Sequence, residues 1–448
     1  MKRLSVKNTY DIQLEGVPSL DVSFLKTHTQ VAVLPSSIPY IKPKLSVKEG
    51  DDVKVGTPLF YDKDHPDIQF LSPGAGVVSK IYYGPKRVIE RVVVDLDGTD
   101  SKISFPQFTN SDIDQLTREG VVKGLLSGGF WGVFNEFPFQ RIPSPQVVPP
   151  SIYVSLDNDE PYHPDASVYL KDNEAFFEAG RLILKKLTER VVVSRSARNT
   201  LLSPSIDSLV THCVDGHYPA NQPGVVLYHT KTSSAENVSW GLYGQDVVRI
   251  GKLFLTGEYP ADKMMVIAGS LAARPQHVYV REGVPVRELL QGYIPSEPTR
   301  YIAGGVFTGR QIDGGGFLGF RDDALHLIRE GKEPEMLSFF RPGFDKPTFS
   351  RTYFSAIIKK AMWRMTTSLN GGDRSCISCG ECPKVCPVGL YPQLLVKSIY
   401  ANDIEESLNL GVLDCVECGL CTYVCPSKID IDDQISLMKI TLEKETRS

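Results

Sequence analysis

Cysteine is scarce in this chain. There are nine in 448 residues, and eight of them lie near one end, which argues against a disulfide framework. Charge of one sign is lacking too: 49 Lys and Arg against 53 Asp and Glu leave a net charge of -4, with no general attraction to nucleic acid or acidic lipid. No apolar run reaches the roughly 18 residues that a membrane-crossing helix needs. The opening MKRLSVKNTYDIQLEG has no apolar stretch of the signal-peptide kind, so a cytoplasmic chain is expected. What is present is a composition of globular type, 42% hydrophobic and 23% charged, long enough for three or four domains.

The clustered cysteines repeat one pattern. DRSCISCGECPKVCPVGLYP, from Asp373, and LDCVECGLCTYVCPSKIDI, from Leu413, both contain C-x2-C-x2-C-x3-C-P. Thiolates are soft ligands suited to a cubane cluster, and in this spacing three close cysteines wrap one cluster while the fourth reaches its neighbour. The pattern assigns Cys376, Cys379, Cys382 and Cys425 to one [4Fe-4S] cluster and Cys415, Cys418, Cys421 and Cys386 to a second. Gly380 and Gly419 are expected to let the backbone close around inorganic sulfur, and Pro387 and Pro426 to stop the helix at the fourth ligand. Structural zinc gives no reason for the rhythm ending in proline, and disulfides do not suit the compartment. Between the motifs, VGLYPQLLVKSIYANDIEESLNLGV carries Leu and Ile at helical spacing. An α-helical ferredoxin is therefore expected over 346–448.

Upstream the expected architecture is multidomain α+β. Over 1–105, short valine-rich runs broken by Gly and Pro (VAVLPSS, LSVKEGDDVKVGTPLF, LSPGAGVVSKI) read as strands and tight turns. With Gly50, Gly56, Gly74 and Gly76 at the bends, they resemble the β barrel-sandwich hybrid of lipoyl and biotinyl domains. Lys63 falls near the hairpin where such domains carry a modified lysine, but Asp62 and Asp64 flank it in place of a modification motif. An exposed, unmodified turn lysine is expected. Over 106–257, EAFFEAGRLILKKLTERV puts Phe176, Phe177, Ala179, Leu182, Ile183, Leu184 and Leu187 on a helical face. SIYVSL, VVVSRS, SLVTHCV and GVVLYH read as strands, so a Rossmann-like α/β layer is expected there. Over 258–345, MMVIAG, HVYVREGVPVRELLQGYI and RYIAGGVFTG suit a β-grasp module.

Other chemistry-bearing residues read as structural. Cys213 is expected to be a small buried hydrophobe, and His212, His217 and His229 have no carboxylate at fixed spacing. The run GGVFTGRQIDGGGFLGF, with Gly304, Gly305, Gly314, Gly315 and Gly316, lacks the strand-before and helix-after order of a nucleotide loop. It is expected to be a turn-rich surface segment.

The order of these modules resembles that of the NqrA family of the Na(+)-translocating NADH:quinone oxidoreductase, with the intact twin motifs of RnfC proteins from the related Rnf complex. KRVIERVVVDLDG, SGGFWGVFNEFPFQRIPSP, GQDVVRIGKLFLTGEY, LNGGDR and LCTYVCPSK carry the likeness. It implies an SLBB-like identity for the β-grasp module and an α/β layer related to the flavoprotein subunit of complex I. It also implies a peripheral protein on the cytoplasmic side of the inner (plasma) membrane, bound to other subunits of NqrB to NqrF type and not to nucleic acid. The complex so implied passes electrons from NADH to ubiquinone, forming ubiquinol, and exports sodium; the isolated chain is expected to be inactive. The alternative is an RnfC-type chain, an NADH- and FMN-binding iron-sulfur component of an ion-pumping ferredoxin:NAD oxidoreductase. RnfC proteins have a GGAGFPTHVK-type loop for the FMN phosphate. In the corresponding SGGFWGVFNEFPF, Phe130, Trp131 and Phe134 put bulk where small residues would admit backbone amides, so FMN is not expected on this chain. In keeping all eight cysteines the chain departs from most NqrA proteins, which usually retain little beyond an LCTYVCP-like remnant.

Overall fold

Short valine-rich strands build the first layer. In the computed structural model, which describes residues 1–25, 28–331, 340, 342–344, 346, 348–349, 353–358, 362–369 and 372–447, Gln30–Val33, Ile89–Leu96, Gly76–Tyr83 and Asp52–Val53 form one antiparallel sheet. Pro43–Leu45, Pro58–Asp62 and Gln69–Leu71 form a second. Val31, Val78, Val92 and Val94 are buried, and Leu59, Phe60 and Phe70 belong to the same core. At Gly76 (φ 154) an added Cβ would overlap the Asp95 carbonyl, so only glycine permits the strand crossing there.

The first two strands of the chain pair elsewhere. Lys2–Ser5 lies parallel to His212–Asp215 at the edge of a six-stranded sheet, which continues through Val191–Ser196, Ile152–Ser155, Trp240–Tyr243 and Asn135–Glu136. Only the last strand is antiparallel. Every residue of Ile152–Ser155 is buried, as befits a parallel strand covered on both faces. The helices Glu174–Leu187 and Gly244–Thr256 pack where Gly180 and Gly251 remove side chains: a Cβ at Gly251 would overlap the Phe176 carbonyl, and one at Gly180 the Val247 carbonyl. GVVLYH, expected as a strand, is instead the core of the helix Pro223–Thr230. A short apolar run does not separate buried strand from buried helix, and Pro223 in the first turn presets the helical φ. SLVTHCV is divided likewise: the helix Pro204–Leu209 takes its start, and only His212–Asp215 is strand.

A mixed six-stranded sheet follows, ordered Arg310–Ile312, Thr299–Ala303, Ala324–Arg329, Asp262–Ala268, Gln276–Arg281 and Ser19–Phe24, with the short helix Val286–Leu289. Nearly half of 332–371, where the change from strand to helix was expected, lies outside the described residues. Beyond it the helices Glu381–Lys384, Pro392–Tyr400, Ile404–Asn409, Leu420–Tyr423 and Ile431–Arg447 surround Val385, Leu395, Val412, Leu420, Val424 and Ile435. Among the described residues no helix is long and apolar enough to cross a membrane.

Candidate metal centres

The two cysteine loops fold alike. Ser378 (φ 53) and Glu417 (φ 56) take the left-handed conformation after the first cysteine, and Gly380 (φ 74) and Gly419 (φ 73) take it after the second. Each loop then enters a one-turn helix that carries the third cysteine, Cys382 or Cys421. Backbone N–H groups point at sulfur: Ser378 donates to Cys376 Sγ and Glu417 to Cys415 Sγ, each at 3.4 Å, and Leu390 donates to Cys386 Sγ at 3.3 Å. At Gly380 nothing lies within 4 Å of where a Cβ would stand, so its left-handed φ, and not crowding by protein atoms, explains the glycine.

The structure sorts the eight thiols crosswise into two sets of four. Cys376, Cys379, Cys382 and Cys425 line a cavity of about 400 Å³ with Ile377, Val396 and Ile431 among its other walls. Cys386, Cys415, Cys418 and Cys421 line a second of about 360 Å³, with Val388, Leu390 and Ile435. Successive residues face different cavities: Pro392 and Asp432 line the second, Gln393 and Ile431 the first. The starts of two helices thus form a shared wall. Among the described residues no three His, Cys, Asp or Glu side chains converge where one ion could be held. Four sulfurs spread around a mainly apolar cavity suit a cubane, whose irons reach outward to separate thiolates. Burial pushes the Cys382 thiol up to about 11 and the Cys415 thiol up to about 12, and raises Cys418 and Cys421 well above the ordinary range. Thiolates there would need a cationic partner such as iron.

The loops differ in what covers them. Tyr218 Oη donates to the Cys418 carbonyl at 2.8 Å, and Gln140 Nε2 to the Val416 carbonyl at 3.3 Å. Nearby, His229 Nε2 meets the Pro387 carbonyl at 2.8 Å, and Lys231 pairs with Asp414 at 2.8 Å. Phe307 stacks on Tyr218, with centroids 5.4 Å apart, and meets Tyr423 edge-on at 5.3 Å. The second loop is therefore held against the α/β sheet and the mixed sheet. The first faces outward: Cys379 is exposed, and Ile377 is 67% exposed.

Residues read as structural have separate partners. His212 Nδ1 meets Thr211 Oγ1, His217 lies between Arg198 and Asp11, and Cys213 is half-buried within its strand. Lys63 is exposed in the turn after Pro58–Asp62; Asp62 accepts from the Lys42 N–H at 3.0 Å, and Asp64 pairs with the Lys42 ammonium. In the glycine run, Gly305 is buried, not at the surface, and the backbone amides of Phe307 (2.6 Å) and Thr308 (3.0 Å) enclose the buried Glu160 carboxylate. Phe130, Trp131 and Phe134 are buried, the last two packed on Trp240 at 5.6 and 5.3 Å. Added Cβ atoms at Gly129 and Gly132 would come within 2.6 Å of Leu71 and 2.9 Å of Phe70. Side chains thus fill the space before this loop.

Sequence reasoning missed Tyr218, Gln393, Asp432 and Lys439. The last three stand at or beside the cavities and are legible only when the two motifs and the helices after them are aligned on each other.

Comparison agrees with this geometry. A model of the 4Fe-4S dicluster domain matches residues 375–429, which defines the class: a protein with a ferredoxin-like iron-sulfur domain, joined here to β and α/β modules. The model of the NqrA N-terminal barrel-sandwich hybrid domain matches 4–97, and that of the NqrA second alpha/beta domain matches 116–259. The NqrA protein of the Na(+)-translocating NADH-quinone reductase of Vibrio parahaemolyticus is 31% identical over 90% of this chain and 91% of its own length. Those of Hahella chejuensis (90% and 90%) and Pasteurella multocida (90% and 91%) are also 31% identical. The chain belongs to the NqrA family of Na(+)-translocating NADH-quinone reductase subunits. A chain of an NAD+-reducing [NiFe]-hydrogenase in the H2-reduced state superposes at a TM-score of 0.36, with 10% identity over 76% of this chain and 64% of its own. That likeness is too loose to bear on fold.

Proposed function

We propose that this chain is a peripheral electron-transfer component of the membrane complex its relatives are named for, reducing quinone with electrons from NADH and coupling this to sodium export. In this reading Cys376, Cys379, Cys382 and Cys425 hold one [4Fe-4S] cluster, and Cys415, Cys418, Cys421 and Cys386 hold the other. The observation that carries it is the crosswise sorting of eight thiols into two adjoining cavities. Each cluster, when bound, supplies a one-electron redox couple. The chain supplies the rest: thiolates as soft ligands, N–H donors at Cys376, Cys386 and Cys415, and a wall thin enough to keep the two sites adjacent.

The Rossmann-like character of the α/β layer and the SLBB-like character of the mixed sheet belong to the same reading, as do domains at 1–105, 106–257, 258–345 and 346–448 and a place on the cytoplasmic face. The alternative, an RnfC-type chain binding NADH and FMN, is the weaker reading. It needs flavin phosphate where Leu71 and Phe70 crowd Gly129 and Gly132.

The test is the assembled complex. Anaerobically purified chain should carry about eight irons on the ferredoxin stoichiometry. A complex with Cys379→Ser and Cys418→Ser should still accept electrons from NADH at its other subunits while quinone reduction and sodium transport fall together. Stoichiometric zinc in the chain, or full NADH:quinone turnover in an assembled complex without clusters, overturns the reading.

A further inference from the structure

The internal repeat extends beyond the cysteines. Shifted by the offset that carries Cys376 onto Cys415, Ser378 falls on Glu417, Gln393 on Asp432, Lys397 on Ser436 and Tyr400 on Lys439. The structure preserves the first three of these equivalences in space, whereas Tyr400 is exposed and Lys439 buried. Gln393 and Val396 line the first cavity as Asp432 and Ile435 line the second. The contact of Lys397 Nζ with Ser378 Oγ at 3.2 Å has its counterpart in that of Ser436 Oγ with Glu417 Oε2 at 2.9 Å. One geometry carries two different sets of charges.

The differences sum to one sign, with Lys439 in place of Tyr400 the exception. Gln393 Oε1 lies 3.3 Å from Cys382 Sγ, where it accepts from a thiol. A thiolate has no proton to give, so the amide turned about its last bond would offer N–H to sulfur and stabilise added negative charge. At the equivalent place by the second cavity stands Asp432, whose Oδ1 is buried without a hydrogen-bond partner. The Lys397 ammonium reaches the first loop. At the second loop Glu417 brings a carboxylate, and the buried Lys439, bonded to it and to the Cys415 carbonyl at 3.0 Å, offsets that charge alone. Burial chiefly, with Glu417 and Asp433 adding to it and the Gly419 amide and Lys439 opposing, pushes the Asp432 carboxyl up to about 6, so that it is ionised at pH 8. Solvent acts in the same sense, for Cys379 is exposed whereas its counterpart Cys418 is buried, Cys382 and Cys421 both being buried. Reduction adds an electron to a centre already negative through its four thiolates. A nearby carboxylate opposes that step; water, ammonium and amide donors assist it.

We propose that Asp432 and Gln393 make the two sites unequal: the site of Cys386, Cys415, Cys418 and Cys421 holds its cluster at the lower reduction potential, and a single electron shared by the pair rests at the exposed site of Cys376, Cys379, Cys382 and Cys425. The inference rests on the reading that both cavities hold [4Fe-4S] clusters. Asp432 and Gln393 act as positioning residues, through space or through a hydrogen bond to sulfur, and not as ligands.

The experiment is a redox titration of the anaerobically purified full chain at pH 8, followed by electron paramagnetic resonance. Two separate one-electron steps are expected. Asp432→Asn should raise the lower midpoint at least tenfold in the electron's partition, about 59 mV for a one-electron couple, and leave the upper one in place. Gln393→Glu should lower the upper midpoint and leave the lower one, which keeps the proposal falsifiable if Asp432→Asn binds iron poorly. Asp433→Asn, at an exposed neighbour, should move neither. A merely structural role for Asp432 would change stability or iron content and leave the midpoints alone. Iron-free or zinc-loaded protein overturns the two-cluster reading and the inference with it. Eight irons with equal midpoints, or a variant that shifts the wrong midpoint or none, overturns the inference alone.

Discussion

The phenol of Tyr218 donates to the carbonyl of Cys418 at 2.8 Å, with Tyr218 buried, joining the loop after His212–Asp215 to the middle of the second cysteine motif. Tyr218→Phe keeps the ring and its stacking on Phe307 but leaves that carbonyl without its donor. A loss of about 1–3 kcal/mol is expected. Denaturant melts of the holo chain should show it, and a chelator should remove iron faster from the second site than from the first.

Equivalent ligands should differ in their structural cost. Cys379→Ser alters an exposed loop, whereas Cys418→Ser alters a buried one bonded to Tyr218 and packed near Phe307. Each should lower iron by about half if a hard hydroxyl fails to hold its cluster. Only Cys418→Ser should also lower the melting temperature markedly and expose Tyr218 to limited proteolysis nearby. Equal melting temperatures for the two variants would contradict the covered position of the second loop.

The contact between Glu174–Leu187 and Gly244–Thr256 has no room for a methyl group. Gly251→Ala would press a Cβ into the Phe176 carbonyl, a backbone atom that cannot rotate away. The expected loss is about 3 kcal/mol or more. Gly120→Ala, in the helix Arg118–Ser127 with its nearest neighbour 3.4 Å away, should be neutral or stabilising by up to about 1 kcal/mol. Urea melts of the two variants make the comparison.

Asp159 should give stability a pH dependence. Burial pushes its carboxyl from the ordinary 3.8 up to about 7; Arg198 opposes the shift, and Asp157 adds to it. Between about pH 4 and 7 the native state therefore holds a proton that the unfolded chain has released, and this group makes stability fall as pH rises through that range. Asp159→Asn removes the contribution. Relative to the unsubstituted chain, the variant should gain stability from pH 5 to pH 8 in urea melts; a flat difference would contradict the shift.

Motif spacing and periodicity carried much of this protein. The thiols of Cys376, Cys379 and Cys382 face one cavity because their spacing is a short-range geometric code, written within a loop and one turn of helix, whereas Cys425 reaches the same cavity from the other motif. The helix Glu174–Leu187 was legible for the same reason, since its apolar face repeats locally. GVVLYH was misread because four apolar neighbours satisfy either period, and the choice was made by packing of Val225, Val226 and Leu227 with Tyr153 and Val214.

Other features depended on residues far apart in the chain. Lys2–Ser5 falls within 1–105, expected to be barrel-sandwich hybrid, yet its partner is His212–Asp215. The glycine run from Gly304 reads as exposed turns, yet its amides enclose Glu160, and its Phe307 packs on Tyr218 and Tyr423. The sequence by itself determined that eight cysteines fall into two motifs of identical spacing, because that relation is local. Tertiary structure alone decided which loop is exposed and which is covered, because burial and electrostatic environment are sums over neighbours that the chain brings together only on folding.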